Sequence, residues 1–183
     1  ASRNGQDGIS LVQTAEGALS ETTNILQRVR ELAVQSANGT LSDDNRTALD
    51  AEVSQLLSQI DDIAFDTEFN GTKVLSGNQT ITLQAGSNAG QTLTVSSEGA
   101  TTSDLRVNDV TISSMGSAVS ALSTVDIALR SVTSLRGTFG ATQNRLEFTV
   151  NTLAIQEENS RAAESAIRDA DIARETINFT RTQ

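Results

Sequence analysis

The stretch VDIALRSVTSLRGTFGATQNRL, residues 125–146, decides the architecture. Val125, Val132, Phe139 and Leu146 recur every seventh residue, and the row runs on through Leu153, Ser160 and Ile167. Leu122, Leu129 and Val150 form a neighbouring row. A seven-residue apolar repeat held over many turns is the seam of a helix wound against partner helices. The periodicity predicts one helix over 117–176, about 90 Å long at about 1.5 Å per residue. That is far longer than a compact domain of this size. The seam thins where Ser160 and Glu164 take the place of large apolar groups.

The partner helices lie upstream. Leu11, Ala18, Ile25 and Leu32 repeat every seven residues, and Val12, Leu19, Leu26 and Ala33 follow one position later. Two adjacent rows make a wide apolar face on a helix over 2–37. Gly8 and Gly17 each weaken it by about 1 kcal/mol relative to Ala. Asn38-Gly39 supplies a stop, since both tolerate a left-handed backbone. Ser42 then caps a second helix over 43–64, with Asp43 and Asp44 in its first turn, where the dipole favours carboxylates. Leu49, Val53, Leu56, Ile60 and Ile63 give its apolar side. The short connection makes the first two helices antiparallel.

After Phe65 the period changes. Asn70-Gly71 and Gly77-Asn78 are turn signals. Ile81 and Leu83 alternate with polar residues, as do Leu93 and Val95, around the loop Gly86-Ser87-Asn88-Ala89-Gly90. This predicts a β-hairpin within a region spanning 70–112, with a further short strand over Val107 to Ile112. The fold class is therefore mainly α: an elongated antiparallel helical bundle, with the long helix paired along its length to the first two and a small β-hairpin near their ends.

Composition narrows the function. The chain has 183 residues, 13 Lys+Arg against 23 Asp+Glu, a net charge of −10, and no His, Cys or Pro. Ser–His–Asp and Cys–His catalysis are impossible, as is any imidazole or thiolate metal site. The acidic balance argues against nucleic acid, and no apolar run reaches the roughly 20 residues of a membrane span. Asp43/Asp44, Asp61/Asp62, Glu157/Glu158 and Asp169/Asp171 are carboxylate pairs, but neighbours on a helix point apart, and none fits a calcium loop. Gly86 to Gly90 and Gly137 to Gly140 lack the Lys-Ser/Thr of a phosphate loop. No catalytic, metal or cofactor residue is expected, and an enzyme is not.

Five blocks carry a resemblance. NGQDGISLVQTAEGAL (4–19), LQRVRELAVQSAN (26–38), TEFNGTKVL (67–75), GATQNRL (140–146) and AESAIRDAD (163–171) strongly resemble bacterial flagellin, in the family's order. The resemblance implies a subunit of the helical flagellar filament, secreted and extracellular, whose partners are other flagellin subunits. It also implies that this chain is the rod-shaped inner domain without the channel-lining terminal helices, with little or no variable outer region, and monomeric by itself. A hook–filament junction protein shares the helical design and is the alternative.

Family members are ligands of the innate immune receptor Toll-like receptor 5. The resemblance places that contact on Gln27, Arg28, Arg30, Glu31 and Leu32, with Glu52 on the second helix. Where many receptor-activating flagellins carry an Arg one turn beyond the Glu52 position, this chain has Leu56. Independently of the resemblance, Arg28, Glu31 and Leu32 share a helix flank, and an Arg beside an apolar anchor suits an interface. Read from the residues alone, Val29 and Leu32 are seam positions and the charges are a solvated face.

Overall fold

The computed structural model describes residues 1–86 and 90–182, and within the last helix the side chains as far as Asp169 together with Thr176. Ser87, Asn88 and Ala89 of the expected hairpin loop, and the side chain of Asp171, lie outside the described residues. Three helices dominate: α1 (Ser2–Ser36), α2 (Asp43–Asp66) and α3 (Met115–Thr182). Between α2 and α3 come β1 (Glu68–Phe69), β2 (Thr72–Lys73), β3 (Gln79–Gln84) and β4 (Thr92–Ser97).

α1 is the central element. It lies antiparallel to α3, with Gly5 beside Val150, Gly8 beside Leu146 and Arg30 bonded to Asp126. Val12, Ala15, Leu19, Leu26, Val29 and Ala33 are fully buried on it. From α3, Val125, Val132, Phe139 and Leu146 face it, also fully buried. The second row of the seam differs from expectation. Ala121, Ala128, Leu135 and Thr142 are buried, whereas Leu122, Leu129 and Val150 are half-buried on the flank. Small side chains at the contact let the two backbones approach, and the larger leucines fill the edge of the groove.

Two further expectations give way. The long helix is paired with α1 only to about residue 150. Beyond Leu146 no described side chain of α3 is buried, and Ile167 is 68% exposed. Nor does α3 lie on α2. Segment 98–114 comes between them, held to α2 at two points. Asp61 accepts from the backbone N–H and the hydroxyl of Thr102, both at 2.8 Å. Asp50 accepts from Ile112 N at 2.6 Å and from the Thr111 hydroxyl at 2.9 Å. The strand expected over Val107 to Ile112 does not form, because its backbone groups bond to helix carboxylates and to a tight turn around Arg106, whose φ is 58°. Val107 and Ile112 are nonetheless fully buried.

Ser42 caps α2 as its sequence position implies, its side chain accepting from Asn45 N at 3.3 Å. The end of α1 has a different cause from the one expected. Neither Asn38 nor Gly39 is left-handed. Instead the buried Arg46 of α2 donates from Nε to the Ser36 carbonyl and from Nη2 to the Asn38 carbonyl, both at 2.9 Å, and from Nη1 to Asp43. These bonds satisfy carbonyls that a helix end leaves without partners.

The β elements are two antiparallel hairpins. Asn70 and Gly71, with φ of 51° and 75°, make the tight turn joining β1 and β2, as left-handed turns of this kind require. β3 pairs with β4 in the register Ile81↔Val95 and Leu83↔Leu93. This hairpin sits on the first turns of α1, where Gly8 leaves room for Leu83, and Asn4 donates to the Gln84 carbonyl at 3.1 Å.

Candidate interaction surface

The antiparallel packing of α1 and α2 places Arg28 opposite Glu52. The Arg28 guanidinium reaches one oxygen of Glu52 from Nε at 3.0 Å and from Nη2 at 2.8 Å. Its Nη1 reaches Glu31, one turn along the same helix, at 3.3 Å. All three side chains stay substantially exposed, at 50% for Arg28, 43% for Glu52 and 69% for Glu31. The hydrogen bond and charge of Glu52, then the hydrogen bond to Glu31, raise the pKa of Arg28 above its ordinary value. One cation between two carboxylates leaves this patch with a net charge of −1.

The sequence-expected residues do not all fall on it. Gln27 and Glu31 are exposed on the outer side of α1, and Leu56 is half-buried one turn from Glu52. Leu32 is 1% exposed and belongs to the core. It lies three residues from the fully buried Val29, a spacing that returns the chain to the same face of the helix. It therefore supports the surface from beneath and offers no contact of its own. Arg30 points to the opposite flank, where its Nε donates to Asp126 of α3 at 2.8 Å. Asp126 was missed by the sequence reading. Its position directly after the seam residue Val125 marks it as a flanking charge, the kind that bridges wound helices.

Nothing in this patch encloses a small molecule. Its charged groups lie open on a helix flank, suited to hydrogen bonds with another macromolecular surface. Among the described residues no group of three or more acidic or other ligating side chains could hold a metal ion. None of the described helices is long and apolar enough to cross a membrane.

Comparison with known proteins gives matches along most of the chain. Residues 1–80 match the bacterial flagellin N-terminal helical region, and residues 122–183 the bacterial flagellin C-terminal helical region. The flagellin of Halalkalibacterium halodurans is 46% identical over all of this chain and 68% of its own length. A flagellar filament 31.3 kDa core protein of Treponema maltophilum is 40% identical over all of this chain and 70% of its own. Among solved structures, the crystal structure of Bacillus cereus flagellin superposes with a TM-score of 0.75 at 34% identity, covering 89% of this chain and 95% of that one. A putative flagellar hook-associated protein from Vibrio parahaemolyticus shares the fold, with a TM-score of 0.69 at 13% identity over 88% of this chain and 87% of that one.

Proposed function

The chain belongs to the bacterial flagellin family, and on that premise we propose that residues 1–183 form the inner rod of a filament subunit whose α1–α2 flank is also the contact for Toll-like receptor 5. The family's members are structural, extracellular components of the motility filament, and this chain is a structural protein and not an enzyme. The rod itself is the filament-building part. By itself it is a monomer at micromolar concentration, and it packs against other copies when arrayed.

The observation that carries the receptor reading is the Arg28–Glu52 clamp. It fixes an arginine, one of the side chains enriched at interface hot spots, half-exposed on the flank that the QRVREL segment supplies. Holding the guanidinium in place before binding lowers the ordering cost of the complex. Leu56, which replaces the arginine of many receptor-activating relatives, removes one cation from the rim and lowers potency. The hook-junction alternative draws only on shared fold, since its structural relative is 13% identical, and the filament reading is the stronger.

The test uses the whole subunit carrying this chain, wild type or Arg28→Ala, in flagellin-deleted cells and in a receptor reporter line. The proposal expects reduced swimming and a reporter response about tenfold weaker. Motility and signalling both unchanged would remove the site assignment.

A further inference from the structure

α3 carries a second seven-residue row on its solvent side. Ile127, Ser134, Ala141, Phe148 and Ile155 follow the buried row Val125, Val132, Phe139 and Leu146 by two residues, which turns them by about 200° to the opposite face. All five are exposed: Ile127 at 50%, Phe148 at 74% and Ile155 at 60%, with Ser134 and Ala141 between them. Single exposed apolar residues need no explanation. A run at constant heptad spacing does, because it is the pattern of a seam awaiting a helix. The row keeps its direction because the inner row stays buried against α1 from Val125 to Leu146. Beside it, Thr138 and Thr152 turn their hydroxyls back onto the carbonyls of Ser134 and Phe148, at 3.2 Å and 2.8 Å.

The charge around this row is unlike that of the rest of the molecule. From Ile127 to Phe148 α3 has three arginines, Arg130, Arg136 and Arg145, against one carboxylate, Glu147, in a chain of net charge −10. α2 is the opposite on its exposed side, where Asp44, Asp62 and Asp66 lie, while Asp50 and Asp61 hold segment 98–114, Glu52 holds Arg28 and the one arginine is buried. α2 also carries an exposed row of its own. Asp44, Ala51, Ser58 and Phe65 recur at seven-residue spacing on its exposed side, Phe65 at 48%.

We propose that the outer face of α3 between Ile127 and Phe148 is a docking surface for the outer face of α2 of a second copy, centred on Ser134 of one chain and Ser58 of the other. This rests on the filament-subunit reading and deepens it by naming a subunit contact. The two faces are different surfaces of the same chain, so the contact is head-to-tail and propagates rather than closing into a pair. Their lengths agree: both strips run for about 30 Å or slightly more at the helical rise. At about 10 Å wide, such a strip hides about 300 Å² on each copy, short of the roughly 1,000 Å² total that marks a stable complex. The contact is weak between two free chains and gains strength when repeated along an assembly. Opposite net charge on the two strips sets the partner and the register.

A chain without cysteine allows a direct test. Ser58→Cys and Ser134→Cys proteins, each carrying one thiol on an exposed helix position, are mixed at high concentration in low salt and oxidised. The Ser58–Ser134 pairing is central whether the two helices run parallel or antiparallel. The expected result is a mixed disulfide dimer forming about tenfold faster than in a control mixture of Ser134→Cys with Gln13→Cys on α1. Raising salt to about 0.5 M slows it severalfold, as screening requires. Equal rates in the two mixtures, or a dominant Ser134–Ser134 dimer, overturn the proposal. Light scattering on the same samples separates the readings. Association without the 58–134 disulfide, or no association at any concentration, overturns this face and leaves the filament role to the swimming assay.

Discussion

Arg28 of α1 and Glu52 of α2 meet through two guanidinium nitrogens on a single carboxylate oxygen, at 3.0 Å and 2.8 Å. The clamp joins two helices, yet both side chains remain about half in solvent. It therefore shapes the surface more than it holds the fold.

Its response to pH and salt follows. Folding raises the pKa of Arg28, chiefly through Glu52. A cation whose pKa rises on folding contributes fully below its unfolded value, and loses that contribution only as pH climbs through the folded one. Arginine ordinarily stays protonated far above neutrality, so the Arg28 contribution is constant from neutrality to about pH 11. Salt screens an exposed pair instead, the Debye length falling from about 10 Å at 0.1 M to about 3 Å at 1 M. The Nε–H resonance of Arg28 should hold its position between pH 7 and about pH 10, and should shift towards that of a free side chain as salt is raised.

Two glycines of α1 should respond in opposite directions. A Cβ on Gly17 meets nothing within 4 Å, whereas one on Gly8 collides with Leu83 Cδ1 and lies 3.3 Å from both methyls of Leu146. Gly17→Ala should stabilise the chain by about 1 kcal/mol, the helix-propensity gain. Gly8→Ala should destabilise it by about 1–2 kcal/mol, because the crowding of hairpin and helix outweighs that gain. Urea unfolding of the two variants measures both signs.

Arg46 should be among the most costly polar residues to remove. Its guanidinium is 7% exposed and holds the Ser36 and Asn38 carbonyls together with Asp43. Arg46→Ala should cost about 3 kcal/mol in urea unfolding, since it orphans carbonyls at the end of α1. Arg46→Lys should recover only part, because an ammonium cannot span the same fork of acceptors.

The rod should be visible in solution. α3 has 68 residues, about 100 Å of helix, and a thin rod of that length has a radius of gyration near 29 Å. A compact chain of this size gives about 16 Å. Small-angle X-ray scattering at monomer mass should return a value in the upper part of that interval, with an elongated distance distribution.

The helices and the β3–β4 hairpin were legible because each has one dominant period, and Val125 to Leu146 stated the seam outright. The strap at 98–114 was not, since its backbone partners are Asp50 and Asp61 on another helix and no local pattern encodes a tertiary hydrogen bond. The stop after α1 was misread for the same reason: the cap comes from Arg46, ten residues on, and not from Asn38-Gly39. At the surface, Arg28, Glu31 and Glu52 were found by resemblance and are brought together. The resemblance put Leu32 in the same group, and the spacing from Val29 puts it on the buried face.

The most direct measurement is equilibrium binding of the chain to the soluble ectodomain of Toll-like receptor 5, comparing wild type with Arg28→Ala. The account predicts measurable binding by the wild type and an affinity about tenfold lower for the variant, with its circular dichroism and melting temperature unchanged. Equal affinities for the two proteins, or no binding by a correctly folded wild type, would contradict it.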